Sequence, residues 1–391
     1  MHGSVTLGKQ LTEAYYGRNI SYSYYNGCST GGRQGMREMQ EFPDSFDGVL
    51  VGAPAWFPGV LNNYITKLGM YNLPSGPGNP KHVPTNLLTV LSKEVVKQCD
   101  KADGVADGIV SSPELCQFDI NKLLCGRNGN NNSSTCLTKP QAETVMKVYG
   151  DYRSNDNGTL LYPGLTLSSE DQWWVVVGGQ TDPSPFGTGY QRYLLLDDPT
   201  WDWRDYNESL IDLAKAKNPG NAVAANFDLS PFRARGGKMI LYHGLSDGLV
   251  PTKGSQWYYN QTLTTMAPPG SDPKALQDFF RFFLIPGMQH CWTTASDAPW
   301  NVGAAYQAGV LGADQWSVPG FRDSKHDVVL ALMDWVEKGK PVDSVVATTW
   351  RSPMNVTSGV LRQRPLCPWP GKAVYDGKGD VDEAKSWRCS S

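Results

Sequence analysis

The stretch Ser23-Tyr24-Tyr25-Asn26-Gly27-Cys28-Ser29-Thr30-Gly31-Gly32-Arg33-Gln34-Gly35 organises the chain. An aromatic, apolar run ends at Gly27 and a helical pattern begins near Gly31, which leaves Ser29 between them in the spacing Gly27-x-Ser29-x-Gly31. Small residues on either side let a strand turn sharply into a helix and lift one hydroxyl clear of the sheet. The next residue, Thr30, then offers its N–H to an oxyanion at the helix N-terminus. The spacing alone occurs by chance in many chains, so its place between a strand and a helix is what gives it weight.

Around this elbow the pattern is α/β. Ser4 to Tyr16 reads as an amphipathic helix through Val5, Leu7, Leu11, Ala14 and Tyr15, stopped by Gly17. Ile20 to Asn26 reads as the strand leading to Ser29, residues 31–41 as the following helix, and Phe46 to Ala53 as the next buried strand, closed by Pro54. From about Trp56 to Leu229 the alternation is lost in a region rich in Gly, Pro, Asn and Trp. This reads as an inserted lid domain, 56–229, with a capping box at Thr138-Lys139-Pro140-Gln141 opening a helix through Tyr149. Strand patterning returns at Lys238 to Gly244 and at Phe279 to Ile285. Val328 to Val336 then forms an amphipathic helix, with Ser324 as N-cap and Gly339 after it. The tail to Ser391 reads as loop. The expected fold is therefore an α/β-hydrolase domain, 1–55 and 230–391, split by the lid. In that fold several strands precede the elbow, whereas one helix precedes it here; the chain reads as incomplete at its N-terminus.

An activated serine needs a base, and the base needs an orienting carboxylate. In this fold the order is serine, acid, histidine. Asp247 follows one strand and His290 follows the next, so both fall at C-terminal strand ends, where open α/β sheets place their sites. Of the other histidines, His243 lies in a strand, His326 opens a helix, and His2 and His82 precede the acid. Asp247 also suits a plain Ser-Asp-Gly turn. Cys28 immediately precedes Ser29, and Cys291 immediately follows His290. A hydroxyl–imidazole hydrogen bond of about 3 Å brings those cysteines within the roughly 4.4–6.8 Å Cα separation that a disulfide needs.

Gly27-Cys28-Ser29-Thr30-Gly31-Gly32-Arg33-Gln34-Gly35, Gly52-Ala53-Pro54-Ala55-Trp56, Ser246-Asp247 and His290-Cys291, taken in order, resemble the tannase/feruloyl esterase family. The resemblance runs from Ser4 to Cys389 and implies a secreted serine esterase with a large lid, acting on phenolic esters. Ferulate or related hydroxycinnamates on plant cell-wall sugars are the expected substrates, with gallate esters the alternative. Fungal tannases of the family are often cleaved at a Lys-Arg pair in the lid, and this chain has none. A third possibility, of another class, is a hydrolase-like binding protein that has lost turnover with its N-terminal segment.

The resemblance also bears on Asp100-Lys101-Ala102-Asp103-Gly104-Val105-Ala106-Asp107-Gly108-Ile109, a glycine-bent loop with three carboxylates. Oxygen ligands at this density suit Ca2+. An EF-hand register is spoiled by Val105 and Pro113, and a plain series of Asp-Gly turns is the bland alternative. The family instead implies a structural lid calcium held by the Asp100, Asp103 and Asp107 side chains and the Val105 and Ile109 carbonyls. Cys99 and Cys116 bracket this loop and are expected to pair; the family pattern, not spacing, selects Cys125–Cys136 and Cys367–Cys389.

Eight cysteines, an even number, fit four disulfides, and seven Asn-x-Ser/Thr sequons begin at Asn19, Asn131, Asn132, Asn157, Asn207, Asn260 and Asn355. Both point to an oxidising, extracellular destination, although Met1-His2-Gly3-Ser4 has no signal-peptide pattern. A net charge of -3 argues against nucleic acid or an anionic membrane as partner, and no run of about 18 apolar residues exists to span a bilayer.

Overall fold

The computed structural model describes residues 1–76, 78–178, 181–312, 316–352 and 355–390. Parts of the expected lid (77, 179 and 180) and of the tail (353, 354 and 391) therefore lie outside the described residues. The chain divides into two compact units: one made of Met1–Trp56, Ala224–Gly244 and Ser255–Ser391, the other of Phe57–Val223 and Leu245–Gly254.

The first unit is built on a four-stranded sheet in the order β1-β2-β3-β4, with β1 Tyr24–Cys28, β2 Gly48–Gly52, β3 Lys238–Gly244 and β4 Phe280–Ile285. Every neighbouring pair is parallel, with Cys28 beside Gly52, Gly52 beside Tyr242, and Gly244 beside Ile285. All four C-termini thus lie along one edge. Strands β2 and β3 are near-continuous apolar runs because a parallel sheet is covered on both faces. On one face Leu50, Ile240, Tyr242, Phe283 and Ile285 pack with Val328, Ala331, Leu332 and Trp335. Elsewhere in the unit, Tyr258 and Tyr259 meet Phe280 and Phe282.

The longer helices of this unit are α1 His2–Tyr16, α2 Thr30–Glu41, α3 Thr252–Met266, whose first three residues are counted with the second unit, and α4 Val328–Lys338. Gly17 ends α1 in the left-handed conformation, as expected, but none of the residues of α1 is buried. Helix α4 ends at Gly339 in the same way. Its N-cap is Asp327 rather than Ser324: the Asp327 carboxylate accepts the N–H groups of Val329 and Leu330. Both are capping residue types, and Asp327 wins because it directly precedes the first helical residue. Strand β1 begins at Tyr24, not Ile20, since its partner β2 begins only at Gly48.

The tail is not loop. Val345–Ser352 pairs antiparallel with Asn355–Leu366, and Ala373–Tyr375 pairs antiparallel with Trp387–Cys389. Val345, Ala347, Trp350 and Leu366 join the core beneath α4. The disulfide Cys367–Cys389 ties the end of this region together.

The second unit carries helices Pro58–Asn72, Thr85–Cys99, Lys139–Tyr149 and Ser209–Lys217, short 3-10 turns, and the antiparallel pair Tyr152–Arg153 with Leu160–Tyr162. The Thr138–Gln141 capping box is present at the start of Lys139–Tyr149. Tyr64, fully buried, stacks on Tyr152 and Tyr162 at centroid distances of 5.8 and 5.7 Å. Cys99–Cys116 and Cys125–Cys136 pin its loops. Among the described residues, no helix is long and apolar enough to cross a membrane.

Candidate active site

Ser29 stands between β1 and α2 with φ 62° and ψ -121°, a conformation that strains any residue with a Cβ. Such strain persists only where the surroundings over-determine it, and it concentrates at functional sites. Here the surroundings are visible. The Ser29 N–H donates to Gly52 O at 2.9 Å, and Ser29 O accepts from Arg33 N at 3.0 Å and Ala55 N at 3.2 Å. A Cβ on Gly32 would sit 2.6 Å from Gly52 O, so only glycine lets α2 approach the end of β2 this closely. Tyr25, two residues before Gly27 on the same face of β1, donates its hydroxyl to Gly31 O at 2.7 Å and clamps the strand to the first turn of the helix. Burial, then the neighbouring Tyr306 and Glu38, pushes the Tyr25 phenol up to about 12, so it stays a donor. Thr30 is the first residue of α2, and its N–H has no partner within the helix.

His290 lies after β4, in the loop that follows Ile285. Three features of the first unit help to hold this loop beside the elbow. The Cys28–Cys291 disulfide joins the neighbours of Ser29 and His290, with their Cα atoms 6.0 Å apart. Gln307, fully buried, donates Nε2 to Cys291 O at 3.0 Å, while its Oε1 accepts from Val302 N at 2.9 Å and Ala304 N at 3.1 Å. A Cβ on Gly244 would lie 2.1 Å from Met288 O, so the end of β3 admits the loop only as glycine. Cys291 and Thr293 also have positive φ, 65° and 64°. Strained backbone thus occurs at Ser29 and directly after His290. The competing His243 is fully buried, with Nδ1 2.8 Å from Ser255 Oγ.

Asp247 follows β3 by three residues and belongs to the second unit, with Leu245–Gly254. It is fully buried, and its Oδ1 accepts from Leu249 N at 2.8 Å and Val250 N at 2.9 Å. Those bonds fix an Asx-type turn that presents the carboxyl as an acceptor.

The acidic loop of the second unit is closed by its own carboxylates. Asp100 Oδ1 accepts from Asp107 N at 3.1 Å and Gly108 N at 2.8 Å; Asp103 Oδ1 accepts from Val105 N and Asp107 Oδ1 from Ile109 N. Asp100 thereby meets the Asp107 turn across the loop. Val105 and Ile109 are buried. Among the described residues, no three His, Cys, Asp or Glu side chains converge as a metal cage. A cation here would need backbone carbonyls in its coordination shell.

Sequence reasoning missed Tyr25 and Gln307. Tyr25 carried a usable signal, its period-2 alignment with Gly27 and Ser29. Gln307 carried none, because its partners lie up to nineteen residues away in loop.

The chain matches the model of the tannase and feruloyl esterase family over residues 1–193 and 205–390. It is 33% identical over 390 residues to a probable feruloyl esterase B-2 of Aspergillus oryzae and 34% identical over 390 residues to one of Aspergillus fumigatus; in each case the match takes in 100% of this chain and 70% of the relative. The crystal structure of feruloyl esterase B from A. oryzae superposes with a TM-score of 0.87 at 33% identity, over 100% of this chain and 73% of that one. Tannin acyl hydrolase from Aspergillus niger shares the fold, with a TM-score of 0.75 at 23% identity over 99% and 68% of the two chains. A family match over nearly the whole chain, joined to an elbow serine and four disulfides, leaves one conclusion: the chain belongs to the tannase and feruloyl esterase family.

Proposed function

We propose that this protein is a secreted carboxylic ester hydrolase that cleaves feruloyl and related hydroxycinnamoyl esters through an acyl-enzyme on Ser29. The observation that carries the reading is the strained Ser29 turn at the C-terminal edge of the parallel sheet, tied by Cys28–Cys291 to the residue after His290. In this reading the His290 imidazole takes the Ser29 proton as the hydroxyl attacks the ester carbonyl. The Thr30 N–H donates to the developing oxyanion, where a preorganised donor is worth about 3–4 kcal/mol. Asp247, an acceptor held by its own turn, orients His290 and favours the imidazolium. The protonated imidazole then releases the alcohol, and water attacks the acyl-enzyme by the reverse sequence.

Feruloyl over gallate specificity is favoured by relatives at 33–34% identity that are named feruloyl esterases, whereas the tannin acyl hydrolase, at 23%, speaks to the fold alone. Secretion is supported by four disulfides and by seven sequons whose asparagines are all exposed. A structural Ca2+ held by Asp100, Asp103 and Asp107 with the Val105 and Ile109 carbonyls remains part of the proposal; it would neutralise three carboxylates gathered in one loop. Comparing turnover of methyl ferulate and methyl gallate tests the acyl specificity. Preference for the ferulate ester is expected, and cleavage of short acetate esters alone would sink both phenolic readings.

A further inference from the structure

The turn 168–173 of the second unit contains an acid for which the proposed reaction has no use. Glu170 is fully buried. Its Oε1 accepts from Ser168 N at 2.8 Å and from the Tyr149 hydroxyl at 2.7 Å, whereas Oε2 is buried with no hydrogen-bond partner among the described residues. Filling this position with an uncompensated carboxyl is costly, so what the carboxyl holds in place matters.

It holds Ser168 at φ 79°, a left-handed conformation unfavourable for serine. In that conformation the Ser168 hydroxyl lies 2.8 Å from the hydroxyl of Ser246, the residue before Asp247. Two residues beyond Glu170, Gln172 Oε1 accepts from Gly248 N at 3.1 Å, on the other side of Asp247. The fit is tight as well as polar: a Cβ on Gly248 would sit 2.7 Å from Ser169 O. The turn therefore grips the Asp247 loop from both sides, and Glu170 fixes the geometry of the grip.

We infer that Glu170 is a positioning residue, which sets the orientation of Asp247 through the Ser168–Ser246 and Gln172–Gly248 contacts. The inference rests on the proposed role of Asp247 as the acid that orients His290. The groups around Glu170 are Tyr149 from helix Lys139–Tyr149 and Asp171 from its own turn, itself bonded to Ser92 Oγ; the loop gripped by the turn carries Asp247. None is a cation. Burial accordingly raises the Glu170 carboxyl to about 7, against the opposing hydrogen bonds from Tyr149 and the backbone, so the brace carries a neutral acid below that pH. Ionisation above it puts an unpaired charge beneath the loop.

The test is kinetic, on the intact protein with methyl ferulate. Glu170→Ala is expected to lower kcat by about 10- to 100-fold with KM little changed, because a small misplacement of a catalytic group acts on the transition state. Glu170→Gln, which keeps an accepting oxygen and stays neutral, is expected to restore kcat near pH 6 and to remove a decline in wild-type kcat above pH 7. A folded Glu170→Ala variant with wild-type kcat, or a Glu170→Gln profile that keeps the alkaline decline, overturns the inference. Should Glu170→Ala fail to fold, Ser246→Ala, which deletes the far end of the contact, must lower kcat several-fold; unchanged kcat overturns the inference equally. Ser29→Ala separates the two levels: turnover surviving that change refutes the serine mechanism itself, whatever Glu170 does.

Discussion

Replacing Cys28 and Cys291 together by alanine removes the one covalent link between the neighbourhoods of the proposed nucleophile and base. The two residues are 263 positions apart, the longest separation among the disulfides; the others span 17, 11 and 22. In the chain-entropy model the long loop contributes about 5 kcal/mol and each short one about 3 kcal/mol. Spread over a chain of 391 residues, the larger figure corresponds to a fall in Tm of roughly 7 °C. Activity should suffer more than stability. Both half-cystines are almost wholly buried, and once the bridge is gone the His290 loop loses its covalent anchor and leans on non-covalent contacts such as those of Gln307 and Gly244. A displacement of about 1 Å costs roughly 100-fold in rate. Scanning calorimetry and methyl ferulate turnover of Cys28→Ala/Cys291→Ala, beside Cys125→Ala/Cys136→Ala, give the comparison. The reasoning is refuted if the first variant keeps wild-type kcat, or melts no lower than the second.

Gln307→Ala strands the Val302 and Ala304 N–H groups and the Cys291 carbonyl; a loss of about 2–4 kcal/mol in unfolding free energy and a lowered kcat are expected from denaturant titration and kinetics. Dialysis against chelator is expected to remove one Ca2+ per chain by elemental analysis and, for an ion present at about 100 times its Kd, to cost about 2.7 kcal/mol of stability; no calcium and an indifferent Tm would remove the metal. Glu170 gives a pH signature in stability as well as rate. Its folded value, about 7, lies above the ordinary 4.5, so its contribution is present below pH 4.5 and lost as pH rises through 7. Relative to Glu170→Gln, the wild type should lose on the order of 3 kcal/mol across that window, measured by denaturant midpoints from pH 4 to 8.

What could be read in advance was what local chemistry dictates. The Gly27-x-Ser29-x-Gly31 turn, the left-handed Gly17 and Gly339, and the Thr138–Gln141 capping box each depend on residues a few positions apart. Strand β3, Lys238–Gly244, matched because an apolar run bounded by glycine has few other uses. Failures came where distant partners decide. The true start of β1 is set by Gly48, and the tail strands Val345–Ser352 and Asn355–Leu366 are held by each other and by α4. Their β-branched residues, among them Val345, Val346, Thr348 and Thr349, carried a strand signal that the polar Arg362-Gln363-Arg364 run obscured. Gln307 and the Glu170 brace are of the same kind. An isolated glutamine or glutamate says nothing until the fold brings Cys291 to the one and Tyr149 to the other.

A fluorophosphonate reagent reacts only with a serine whose hydroxyl is activated by a neighbouring base. After incubation of the intact protein, mass spectrometry should find one adduct, on the peptide carrying Ser29, with loss of ester hydrolysis in proportion to labelling. Full hydrolysis with residue 29 unlabelled, or a label on another serine, would contradict the account.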